Sequence, residues 1–127
     1  MISVSPYKKE NLILNLTFEF AKEIIAYTEL LESKKKFNMA NQLFRCGTSV
    51  HANIREAQNA ESKMDFIHKI KIAAKEGDET EGWLLLCEHT ESYPDCKYLL
   101  EKLSIILKTL NKIIGTVKRK SANQLTS

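Results

Sequence analysis

Residues Asn41 to Leu86 read NQLFRCGTSVHANIREAQNAESKMDFIHKIKIAAKEGDETEGWLLL. In the second half, Phe66, Ile70, Ala73, Gly77, Thr80, Leu84 and Cys87 follow one another in steps of four and three. That alternation puts all of them on one side of an α-helix and makes a heptad seam. The first half places Leu43, Cys46, Val50, Ile54 and Ala57 on a similar stripe, which predicts a helix with one buried face. Gln58-Asn59-Ala60-Glu61 is a short polar link, so the second helix must return antiparallel to the first. Ser62 and Asp65 have the spacing of a capping pair, with aspartate in place of the usual Glu or Gln. Both helices are thin in the middle, at Gly47, Thr48, Ser49 and Ala52 and at Ala73, Gly77 and Thr80. A glycine inside a helix costs about 1 kcal/mol relative to alanine. Close approach of these two helices would explain it. Trp83 lies off the seam and is expected to cap the bundle or meet a neighbouring subunit.

Helical spacing continues on both sides of this stretch. Upstream, Ile13, Leu16, Phe20, Ile24, Tyr27 and Leu31 form one stripe, and Leu14, Phe18, Ala21, Ile25 and Thr28 widen it enough to touch two partners. Lys34-Lys35-Lys36 ends this helix, where cations suit the negative end of its dipole. Asn38 is the expected N-cap of the next. Downstream, Tyr93-Pro94-Asp95 marks a turn with Pro94 at a first helical position, and Leu99, Leu103, Ile106, Leu110, Ile113 and Val117 follow, with Leu100, Leu107 and Ile114 beside them. The pattern predicts an all-α fold, an antiparallel up-down-up-down four-helix bundle forming one domain over residues 1–127. Its helices span about 9–33, 39–57, 63–90 and 95–119, and a polar tail over 121–127 is expected to fray.

Composition excludes several classes of protein. The chain has 127 residues, four glycines, two prolines and a net charge of +3. That length buries a real if modest core. Cys46, Cys87 and Cys96 form no C-x-x-C pair and leave one over if two are bridged, which fits neither a disulfide framework nor a zinc ribbon. No apolar run approaches the ~18 residues of a membrane span, and no signal peptide is evident. The chain is expected to be soluble, cytoplasmic and free of membrane partners. There is no glycine-rich phosphate loop and no nucleophile elbow.

Bundle topology gathers particular charges at particular ends. Lys8, Lys9, Arg55, Lys63, Lys118, Arg119 and Lys120 fall at the pole where the first and third helices start and the second and fourth end. The opposite pole mixes Lys34, Lys35, Lys36 and Lys97 with Asp78, Glu79, Glu81, Glu88 and Glu91. Copies standing side by side would join the first pole into a basic ring, which attracts phosphate backbones through counterion release.

The polar residues set among the apolar ones carry a resemblance. Gln42-Leu43-Phe44-Arg45, then Thr48 through Ala57, followed by Phe66, Lys75-Glu76, Glu79-Thr80 and Trp83-Leu84, resemble the four-helix-bundle proteins encoded in intervening sequences of bacterial 23S ribosomal RNA genes. The resemblance covers roughly residues 18–117. This chain has His51 where that family often has proline, and Ala57 where it often has glycine. The resemblance implies a small non-enzymatic bundle that assembles as a homopentamer. It is also similar to the accessory protein of diversity-generating retroelements, a basic pentamer that binds nucleic acid and a reverse transcriptase. Arg45, Asn53 and Glu56 are carried over as structural polar residues.

Enzymatic and metal readings have thinner support. Arg45 and His51 fit the loose R-x(4 to 6)-H pattern of the ribonuclease branch of HEPN domains, in which arginine and histidine from two protomers cut RNA by acid-base chemistry. A di-iron bundle needs Glu-x-x-His on two helices, whereas Asp65-x-x-His68 stands alone with His68 off the apolar face. No catalytic residue, cofactor or metal is assigned. The reading is a non-enzymatic oligomeric bundle associated with RNA or DNA through its basic pole. The alternative is a structural adaptor for a protein partner, identified by exposed apolar surface.

Overall fold

The computed structural model describes residues 9–126, with side chains from Leu12 to Lys120 and at Ala122. Helices α1 (Lys9–Ser33), α2 (Phe37–Gln58), α3 (Lys63–Glu88) and α4 (Lys97–Thr126) follow one another without strands among the described residues. Packing joins α1 to α2, α2 to α3, α3 to α4 and α4 back to α1, whereas the diagonal pairs keep their backbones apart among the described residues. This is the antiparallel up-down-up-down bundle that the apolar stripes imply.

Ile13, Phe20, Ile24, Tyr27 and Leu31 of α1, Leu43, Val50 and Ile54 of α2, Ile70 and Leu84 of α3, and Leu99, Leu103, Ile106 and Leu110 of α4 are all buried. Each such side chain contributes about 1.5–3 kcal/mol relative to exposure. Thr17 is buried within this set and satisfies its hydroxyl on the Ile13 carbonyl at 2.9 Å. The second stripe of α1 is less buried than its spacing suggests. Phe18 is 48% exposed and Ile25 37%, although Ala21 and Thr28 of the same stripe are buried and the Phe18 ring meets His51 of α2.

Helices α2 and α3 pack closely, but the glycines of their thin regions do not face each other. A Cβ on Gly47 would lie 2.9 Å from Ile24 Cγ2 on α1, and one on Gly77 would lie 2.7 Å from Leu107 Cδ2 on α4. Each glycine therefore admits a large side chain from a different neighbour, Ile24 of α1 or Leu107 of α4. Polar groups add to the link between α2 and α3: Arg45 pairs with Glu79 and, at 3.3 Å, with Glu76, while Lys69 pairs with Glu56 at 2.7 Å.

Helix ends depart from expectation in three places. The α1 terminus is a Schellman motif in which Lys35 N donates to the Glu32 carbonyl and Lys36 N to the Leu31 carbonyl, with Lys35 at φ 63°. The lysine run thus lies beyond α1, and Lys36 occupies the α2 N-cap position without a side-chain cap, leaving Asn38 inside the first turn. Pro94 precedes α4 instead of opening it. Its carbonyl accepts from Tyr27 Oη at 2.7 Å, and the amide of buried Cys96 donates to Glu88 Oε1 at 2.9 Å, so the connection is tied to the core. Finally, α4 continues to Thr126, past the expected end near Arg119 and through the segment expected to fray. Polarity alone does not stop a helix, and no glycine or proline follows Gly115.

Candidate nucleic-acid interface

The α2–α3 connection sets up one side of the basic pole. Ser62 Oγ accepts from Asp65 N at 3.0 Å, and Asp65 Oδ2 reaches one residue past the cap to accept from Glu61 N at 3.4 Å. This cap starts α3 at Lys63, whose side chain is exposed. Across from it, the last turns of α4 present Lys118, Arg119 and Lys120, also exposed. Lys63 and Lys120 line the same cavity, of 160 Å³, with Phe66 and Val117. Lys120 also lines a larger groove of 510 Å³ between α1 and α4, together with Leu12, Lys112, Ile113 and Val117.

Lys112 is thus a member of this surface that pole-counting misses. The available signal is its position two turns before Lys120, with Thr116 between them on one strip of α4. Arg119 turns back to Thr116 Oγ1 at 3.3 Å. Arg55 lies exposed in the last turn of α2, where its charge suits the helix dipole, and lines neither cavity; nor does Lys118. Lys9 begins α1 at this end, and Lys8 lies outside the described residues. Among the described residues, Arg55, Lys63, Lys112, Lys118, Arg119 and Lys120 have no carboxylate within ion-pair distance. Two nearby carboxylates are engaged elsewhere: Asp65 caps α3, and Glu56 holds Lys69, raising that lysine's pKa by hydrogen bond and charge, while exposed Glu61 lies in the α2–α3 link.

The polar residues carried over from the resemblance have local partners. Arg45 bridges to Glu76 and Glu79 and also reaches Gln42 Oε1 at 3.4 Å. Asn53 Nδ2 donates to the Ser49 carbonyl at 2.9 Å, within its own helix. Glu56 ties α2 to α3 through Lys69.

Arg45 and His51 face opposite neighbours. Arg45 engages α3, whereas His51 Nδ1 lies 3.0 Å from Thr17 Oγ1 on α1, with its ring edge-on to Phe18 at 5.4 Å. Burial, and then the charge of Arg55, hold His51 below the ordinary histidine range. Within one chain, these two side chains form no acid-base pair.

The three cysteines are buried and unbridged, and burial pushes all three thiols up, Cys96 to about 12. Among the described residues, no three His, Cys, Asp or Glu side chains are grouped to hold a metal ion, and no helix is long and apolar enough to cross a membrane.

The family described as 23S rRNA-intervening sequence protein matches residues 9–114. This chain belongs to that family. The matched span takes in α2 and α3, including Arg55 and Lys63, and ends before Lys118, Arg119 and Lys120. A crystal structure of a protein of unknown function from the S23 ribosomal protein family of Bacteroides thetaiotaomicron is 40% identical. The match covers 85% of this chain and 99% of that one, with a TM-score of 0.79. No curated protein matches.

Proposed function

We propose that this member of the 23S rRNA-intervening sequence family is a non-enzymatic, oligomeric, cytoplasmic bundle that binds the phosphate backbone of RNA or DNA through its basic pole. The observation that carries the reading is the pairing of Lys63 on α3 with Lys120 on α4 around one cavity, continued by Lys112 and unopposed by any paired carboxylate among the described residues. Two ammonium groups from different helices form a surface whose spacing is set by the bundle, which suits a polyanion better than a single small anion.

Assembly of several copies in one orientation, five by analogy with the family resemblance, would repeat this surface around a ring. Light scattering combined with a nucleic-acid mobility shift on the same sample tests both parts. An oligomer that shifts nucleic acid at low salt and releases it as salt rises supports the reading, and a monomer that shifts nothing at low salt refutes it.

A further inference from the structure

At the other pole, a cavity of 380 Å³ opens where α2 begins and α3 ends. Its lining combines Trp83 and Tyr93 with the carboxamides of Asn38, Asn41 and Gln42, beside Met39. We propose that this cavity binds an unstacked nucleobase carrying a phosphate, with the base packed on the aromatic rings and read by the amides. The inference is independent of the basic pole, which lies at the far end of the helices.

Several features favour a nucleotide over an apolar ligand. The volume lies at the lower end of the range for small-ligand sites, of ~300–1,000 Å³. Aromatic rings stack on any base, and side-chain amides both donate to and accept from base edges. Trp83 Nε1 donates to Glu79 Oε2 at 3.3 Å, so its indole N–H is already satisfied and the ring offers its π-surface. Glu79 is held by Arg45, and Arg45 also reaches Gln42 Oε1 at 3.4 Å. This chain of contacts orients Trp83 and Gln42 across the α2–α3 wall, neutralises the nearest carboxylate and leaves the Gln42 amide hydrogens available. The side chains of Asn38 and Asn41 are exposed and take no part in the hydrogen bonds among the described residues. Lys36 Nζ stands 4.6 Å over the Tyr93 ring at the cavity edge. Among the described residues, neither it nor Lys34 or Lys35 is ion-paired, so a phosphate attached to the bound base would meet lysines not already held by a carboxylate.

Trp83 is the only tryptophan in the chain, so its fluorescence reports on this cavity alone. The full chain is titrated with the 5′-monophosphates of adenosine, guanosine, cytidine and uridine, with a short single strand and with a duplex. Saturable quenching by mononucleotides, by the single strand or by both is expected, and which of them acts identifies whether the source is a free nucleotide or a strand. The duplex, whose bases remain stacked, is expected to leave the signal unchanged. Lys36→Ala combined with Asn41→Ala, both at positions outside the buried core, is expected to weaken the quench at least tenfold with the thermal unfolding curve retained. Lys63→Ala combined with Lys120→Ala, which tests the opposite pole, is expected to keep it. Absence of quenching by every nucleotide and by the single strand would overturn the inference. So would an undiminished quench in the Lys36/Asn41 variant, or its loss in the Lys63/Lys120 variant.

Discussion

Replacing Gly47, Gly77 and Gly82 in turn with alanine tests the helix packing. Alanine gains about 1 kcal/mol over glycine inside a helix wherever its methyl group has room. At Gly82 nothing lies within 4 Å of the new Cβ, so Gly82→Ala is expected to stabilise the protein by about that amount. At Gly77 the new methyl meets Leu107 Cδ2 at 2.7 Å, but that atom is the tip of a partly buried side chain able to swing aside. Gain and loss then nearly cancel. At Gly47 the new methyl meets Ile24 Cγ2 at 2.9 Å, Cγ1 at 3.0 Å and Cδ1 at 3.2 Å. Ile24 is fully buried, its branch sits directly on Cβ, and its χ1 is stiff in a helix, so it has nowhere to turn. Overpacking of this kind costs about 1–3 kcal/mol, which leaves Gly47→Ala destabilising by up to about 2 kcal/mol after the propensity gain. Urea unfolding with matched m-values reads the order directly: Gly82→Ala above wild type, Gly77→Ala beside it and Gly47→Ala below. In an Ile24→Ala background the Gly47→Ala cost should vanish, a favourable coupling of at least about 1 kcal/mol. If Gly47→Ala stabilised the protein as much as Gly82→Ala, the placement of α1 against α2 would be refuted.

Other outcomes follow from single contacts. Lys35 holds a left-handed conformation at the end of α1, so Lys35→Gly should raise stability by about 1 kcal/mol in the same urea assay. Removing the Tyr27 hydroxyl with Tyr27→Phe strips the Pro94 carbonyl of its 2.7 Å partner, and a loss of about 1–2 kcal/mol is expected. Because burial holds the folded His51 pKa below its unfolded value, the unfolded chain takes up that proton first as pH falls. The contribution of His51 is therefore complete above the ordinary histidine range and is lost as pH drops below ~6.5. Stability measured from pH 7.5 to 5.5 should fall more steeply in wild type than in His51→Gln, and parallel curves would contradict the environment described for that ring.

Apolar spacing made the bundle legible because each helix repeats its buried residues at every turn, and a single stripe such as Ile70, Ala73, Leu84 is enough to orient α3. It could not say which neighbour fills a gap. Gly47 and Gly77 read as a shared contact between α2 and α3 because both are small, yet the volumes that occupy them come from Ile24 and Leu107, on helices whose facing is a property of the whole bundle. Helix ends are less legible wherever a local signal competes with a longer-range one. Asn38 has good capping chemistry, but the backbone hydrogen bonds closing α1 leave room only for Lys36 at the N-cap position. In the candidate interface, counting charges by pole found Lys63 and Lys120 but grouped Arg55 and Lys118 with them. Of these, Lys63 and Lys120 line the cavities, which add Lys112, a residue whose place depends on the gap between α1 and α4 and not on distance from a helix end.

The dependence of nucleic-acid affinity on salt, compared between wild type and Lys63→Ala combined with Lys120→Ala, bears most directly on the basic pole. Each phosphate contact contributes a slope of about 0.9 in log K against log salt for B-form duplex and about 0.7 for a single strand. Wild type should lose affinity linearly on this plot, and the double variant should show a slope smaller by about two contacts for each chain engaged, with its oligomeric state unchanged. Equal slopes for the two proteins, or no binding by wild type at low salt, would contradict a nucleic-acid role for the pole where α3 begins and α4 ends.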